Sequence, residues 1–160
     1  MSYLCCEEGP VYTSVCAKSD VDITTVITTV GQVRTNTVTT EPFHIDLRHA
    51  PYKQMCVTVS APLTLRNGDN ATTATVVLQL YSGRSTSLAN FVDSTELTTS
   101  LADGDGADIY AAVTPVLLHR VAPGEYTVVL SVSSSNTDTG NVIRASGRIN
   151  VCATLNQLVL

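Results

Sequence analysis

The sequence predicts an all-β fold, an antiparallel sandwich of roughly eight to ten strands. Three observations predict it. Charged residues make up only 14% of the chain where about 25% is usual, and threonine, about one residue in seven, takes their place. That shift favours β-branched side chains over helix formers. Apolar residues also recur at every second position, in runs bounded by Gly, Pro, Asn and Asp. Finally, no stretch sustains a helical apolar period over three turns.

The elements follow in order. Residues 1–19 stand apart, with three of the five cysteines, a Gly9-Pro10 turn and no sustained period. They read as an arm that packs on a neighbour or stays mobile, ahead of a single domain over residues 20–160. Between Thr37 and His49, Phe43, Ile45 and Leu47 alternate with His44, Asp46 and Arg48, and Pro42 marks a strand start or an edge. From Gln54 to Leu65, Met55, Val57 and Val59 share one face, with Thr58 and Ser60 on the other. Asn67-Gly68-Asp69-Asn70 is a turn, and Val76, Leu78 and Leu80 give the next strand its inner face. Residues 82–107, rich in Ser, Thr, Asp and Gly, read as mostly long loop with one short strand. Ile109 to Val121 is an apolar strand interrupted by Pro115.

Pro123-Gly124 sets a tight turn, since Pro presets φ and Gly tolerates positive φ. The strand after it puts Tyr126, Val128, Leu130 and Val132 on one face. Thr127, Val129, Ser131 and Ser133 make the other face, which is neutral. After a turn over 136–141, Ile143, Ala145, Gly147, Ile149 and Val151 point inward and Arg144, Ser146, Arg148 and Asn150 outward. The strand count and chain length fit a Greek-key jelly roll best. No repeat of about 20–50 residues is present, which excludes a propeller or solenoid.

Charge narrows the function classes. The net charge is −5, and the two lysines and seven arginines are scattered rather than clustered, so no surface for tracking nucleic-acid phosphates is expected. No apolar run reaches the roughly 18–20 residues that span a bilayer. The opening MSYLCCEEGP has neither the basic start nor the apolar middle of a secretory signal, so synthesis in a cytoplasm without a cleaved leader is expected. Cys5, Cys6, Cys16, Cys56 and Cys152 match no zinc spacing. Free thiols in a reducing compartment are the expectation, the alternative being an inter-chain bridge near the N-terminus after release into an oxidising medium.

Few residues suggest chemistry. Asp103, Asp105 and Asp108 resemble a calcium loop, but Ala107 stands where an EF-hand needs a ligand, Asp108 where it needs Gly, and Thr114 where it needs Glu. The segment reads as an acidic turn, with those three carboxylates left as candidate ligands of a weak Ca²⁺ site. His44, His49 and His119 sit in no ligand spacing and read as solvated or hydrogen-bonded. There is no Gly-x-Ser-x-Gly elbow, no convincing carboxylate pair and no phosphate loop, so neither enzymatic activity nor a cofactor is expected. Asn70-Ala71-Thr72 is a formal glycosylation sequon, expected to be silent without a signal peptide. The neutral face of Thr127, Val129 and Ser131 suits burial against an identical subunit, because desolvating hydroxyls costs far less than desolvating charges.

Four stretches carry a family resemblance: YKQMCVTVSAPL (52–63), TATVVLQLYSGRS (73–85), VLLHRVAPGEYTVVLSVS (116–133) and GRINVCATLNQLVL (147–160). In layout they resemble the trimeric jelly-roll head of the tumour necrosis factor and C1q class, and more narrowly its versions in viral and phage fibre, spike and capsid-decoration proteins. The apolar tail 153–160 departs from that pattern. The resemblance implies a homotrimeric structural protein of a virion, assembled after synthesis in the host cytoplasm. Its partners would be its own copies and other capsid proteins, with Cys5, Cys6 and Cys16 in the anchoring arm. The alternative is a module that binds a host receptor or glycan through the 82–107 region, where Phe91 is the only aromatic ring.

Overall fold

The computed structural model describes residues 11–26, 35–39, 43–45, 55–68, 70–103, 107–122, 124–135 and 142–156. These form eleven strands and one 3-10 turn at Leu88–Asn90, with no α-helix among the described residues. The strands make two antiparallel sheets, the all-β sandwich that the alternation predicts.

Sheet one is built around β11 (Val142–Asn156). One edge of β11 pairs with β1 (Val11–Val26), from Val11 opposite Asn156 to Val26 opposite Val142. Its other edge pairs with β5 (Leu63–Asn67) and then β4 (Met55–Ser60). Beyond these lie β8 (Ile109–Val113), paired with β5, and β9 (Val116–Val121), paired with β4. Sheet two is built around β10 (Gly124–Ser134). One edge of β10 pairs with β2 (Thr35–Thr39) and β3 (Phe43–Ile45), the other with β6 (Thr72–Ser82). The outermost strand, β7 (Phe91–Leu101), pairs with β6.

Prolines explain why some strands are short. Proline has no N–H to give a ladder, so Pro62 separates β4 from β5 and Pro115 separates β8 from β9. The two breaks are neighbours, joined by the Ala61 N–H donating to the Pro115 carbonyl at 3.1 Å. On the adjoining strand, Gly147 pairs with Leu63 at φ +151°. A Cβ there would run into the Pro62 carbonyl oxygen and come within 3.1 Å of Leu63 Cα. Counting β4 with β5, β8 with β9, and β2 with β3, which share one edge of β10, leaves eight ribbons among the described residues. The first, eighth, third and sixth lie side by side in sheet one, and the second, seventh, fourth and fifth in sheet two.

The core lies between the sheets. Val57, Val59, Leu63, Leu65, Ile143, Ile149 and Val151 from sheet one meet Val76, Leu78, Leu80, Val128, Leu130 and Val132 from sheet two. Every second position is buried, as the sequence pattern requires.

The structure departs from the expected elements in places. Residues 91–101 form an eleven-residue strand rather than loop. As an edge strand, β7 is exposed along much of its length, so it carries no apolar alternation to announce it. Residue 19, where the arm was expected to end, lies inside β1, which pairs with β11 from Val11 to Val26 with one register shift between Val11 and Thr13. The strand expected from Thr37 to His49 is described as β2 and β3 only. Pro123 and the turn over 136–141 lie outside the described residues.

Candidate functional site

The outer faces of the two sheets differ in chemistry. On sheet one, residues paired out of phase with the core are Lys18, Asp20 and Asp22 on β1, and Arg144 and Arg148 on β11, all exposed. Arg66 on β5 and exposed Arg120 on β9 add to them. Several are matched in sign. Arg148 Nε donates to Asp20 at 3.2 Å, and the Arg66 guanidinium meets Asp108 at 2.8 Å. The hydrogen bond and charge of Asp108 hold Arg66 above its ordinary pKa.

The outer face of sheet two is nearly uncharged. It consists of Thr73, Thr75, Val77 and Gln79 on β6, Ser94, Glu96, Thr98 and Ser100 on β7, and Val129, Ser131 and Ser133 on β10. Glu96 is the one charge among these, the TNTVT of β2 adds none, and Glu125, in the same outward phase near the start of β10, is paired with Arg84. Most of the face is half-buried or exposed.

Of the residues expected at a subunit contact, Ser131 is half-buried, whereas Val129 is buried and Thr127 is 1% exposed within the single chain. The Thr127 hydroxyl donates to the Gly83 carbonyl at 2.7 Å. It belongs to a knot that ties the 82–90 loop to β10. The Gly83 N–H donates to the Glu125 carbonyl at 2.7 Å, and Arg84 pairs with the Glu125 carboxylate at 2.9 Å. Asn90 Nδ2 donates to the Ser82 carbonyl at 2.8 Å. The loop carries Leu88, 89% exposed, on its 3-10 turn. Phe91 packs edge-on against Tyr81, with ring centroids 5.9 Å apart.

Asp108 turns to Arg66, Asp103 is exposed, and Asp105 lies outside the described residues. No group of three or more metal-binding side chains occurs among the described residues. His119 is hydrogen-bonded, as expected, with Nδ1 3.0 Å from the Asp93 carboxylate. That contact bridges β9 and β7 at the open edge of the sandwich. His44 lies on β3, and His49 is outside the described residues.

Cys56 is buried and disulfide-bonded, which corrects the expectation of free thiols throughout. Cys16 lies on β1 opposite Cys152, and Cys5 and Cys6 are outside the described residues.

Three polar anchors were invisible in the sequence. Tyr126 donates to the Ala122 carbonyl at 2.7 Å, four residues back in the chain. Buried Asn67 donates from Nδ2 to the carbonyls of Asn70, at 3.0 Å, and Ala102, at 3.1 Å. Thr72, the last residue of the sequon, shares a 2.7 Å hydroxyl contact with Ser134. A Tyr soon after a Pro-Gly turn was the one local signal available. The Asn67–Ala102 and Thr72–Ser134 pairings link residues distant in the chain.

No helix of the described residues is long and apolar enough to cross a membrane. No family model matches the chain, and no curated protein matches it. Among solved structures, the chain is similar to the enzymatically active domain of tailspike protein 4 of bacteriophage CBA120. That likeness has 13% identity and a TM-score of 0.42, over 86% of this chain and 19% of the other. It is similar to an aminopeptidase from a marine sediment Thaumarchaeota archaeon at 9% identity and a TM-score of 0.40, over 86% of this chain and 37% of the other. It is also similar to Desmodium yellow mottle tymovirus at 9% identity and a TM-score of 0.27, over 96% of this chain and 97% of the other. The chain therefore spans well under half the length of the first two.

Proposed function

We propose that the chain is a structural protein of a virion, wound as a jelly roll and assembling as a homotrimer through the outer face of sheet two. One observation carries the reading: the two outer faces of one sandwich differ in charge, and sheet two is the neutral one. A face left in water gains from charge, while a face to be covered loses by it, because each charge must be desolvated. Thr127 and Val129 have little surface left to offer, so the contact falls on Ser131, Ser133, Thr75, Val77 and the outer side of β7. The nested ribbon order supports the jelly-roll winding. The virion role is the one that the sequence resemblance implies, with other capsid proteins as further partners. The role is non-enzymatic and needs no cofactor.

Light scattering of the purified protein tests the assembly. Three copies of a 17.0 kDa chain give about 51 kDa. A stable species at the mass of one chain would overturn the reading.

Exposed Leu88 on its tied loop favours a second reading, binding of a host receptor or glycan at the 82–91 end. A glycan array on which wild type binds and Leu88→Ser does not would support it.

A further inference from the structure

Three side chains stand in one row across the outer face of sheet one. Arg144 on β11 lies directly opposite Arg66 on β5, and Arg66 lies directly opposite Tyr110 on β8. Their chain neighbours Ala145 and Leu65 are wholly buried, so the row looks out to solvent. Arg144 is exposed, Arg66 is half-buried and Tyr110 is 61% exposed.

Like charges directly opposite each other in an antiparallel pair cost stability. Asp108 answers one of the two arginines, meeting the Arg66 guanidinium at 2.8 Å. Arg144 makes no hydrogen bond or ion pair with any described residue. Asp20 on β1 is taken by Arg148, and Asp22 pairs with Ser146, two residues out of line with Arg144. One positive charge is therefore left over in the row, in a chain whose net charge is −5.

The row is also held firmly. Asn67, next to Arg66, is buried and donates to the carbonyls of Asn70 and Ala102, which ties down the end of β5. Asp108 orients the Arg66 fork, and the Tyr110 phenol adds a smaller effect on its charge. From Arg144 to Tyr110 is two strand spacings, about 10 Å. The unanswered fork of Arg144 matches a planar carboxylate. The exposed ring offers a rigid amphipathic platform for a sugar. A bare anion such as sulfate would use the arginines and leave the ring idle.

We infer that Arg144, Arg66 and Tyr110 bind a carboxylate-bearing sugar, Arg144 gripping the carboxylate and Tyr110 stacking on the sugar ring. This site lies apart from both the neutral face of sheet two and the 82–91 loop, and it does not depend on how the chain assembles.

Amide NMR of the intact protein tests this, with sialyllactose as the probe and lactose, sulfate and a short Glu-only peptide as controls. Sialyllactose should shift the amides of Arg66, Tyr110 and Arg144 with a dissociation constant on the order of 1 mM, and lactose should not. Arg144→Gln and Tyr110→Ala should each weaken binding about tenfold. Arg144→Gln should also leave the denaturation midpoint unchanged or raise it, because it removes the charge opposite Arg66. A lower midpoint would make Arg144 a structural group and overturn the assignment. So would the absence of any shift, or binding that survives Arg144→Gln. Shifts of equal size with sulfate or the peptide would reduce the row to a general anion patch. Binding lost in Leu88→Ser and kept in Arg144→Gln would move the sugar to the 82–91 end; either result overturns the proposal.

Discussion

At the scale of single residues, the most informative side chain is Tyr126. Its ring fills the core near the start of β10, while its hydroxyl reaches back to the Ala122 carbonyl and ties the strand to the end of β9. Burial pushes its pKa above the ordinary 10.0. The protonated phenol is thus preferred in the folded protein. Its contribution is complete below pH 10 and is lost as pH rises through the higher folded value. Tyr126→Phe should lower the unfolding free energy by about 1 kcal/mol at pH 7 in a denaturant titration. Above pH 10 the gap between variant and wild type should close. Parallel pH profiles for the two proteins would refute the assignment.

At the scale of elements, the two proline breaks and Gly147 form one line across sheet one. Gly147→Ala combines an unfavourable φ with a collision against the Pro62 backbone. It should lower stability by on the order of 3 kcal/mol, read from the denaturation midpoint. A loss below about 0.5 kcal/mol would mean that β11 shifts to accept the methyl group. The same elements explain what the sequence could reveal. Strands such as β6 and β10 bury alternate residues completely, so their period was plain. Pro62 and Pro115 were visible as interruptions, but that they lie side by side is a property of the pairing. β7 was missed because an edge strand with exposed Ser and Thr looks like loop. The charge difference between the sheets was half legible: the neutral side of β10 could be read, but its extension across β6 and β7 needs the register of three strands. The His119–Asp93 bridge joins residues 26 positions apart and has no local signature.

At the scale of the whole molecule, assembly should respond to charge on one face only. Ser131→Lys or Thr98→Lys places like charges against each other around the proposed contact and should weaken association by about 100-fold or more, measured by concentration-dependent light scattering. Ser146→Lys, at an exposed position on the outer face of sheet one, should leave the mass unchanged. Equal responses from both faces would remove the asymmetry as an explanation of assembly.

The nested pairing also gives the sandwich a direction. Val11 and Asn156 are neighbours, and both lie at the end where β4 and β9 meet as Met55 opposite Val121. Asn70, Ala102 and Ser135 gather at the far end, joined through Asn67 and Thr73. The first and last described strands therefore begin and finish at one pole, and the loops tied through Asn67 and Thr73 form the opposite one.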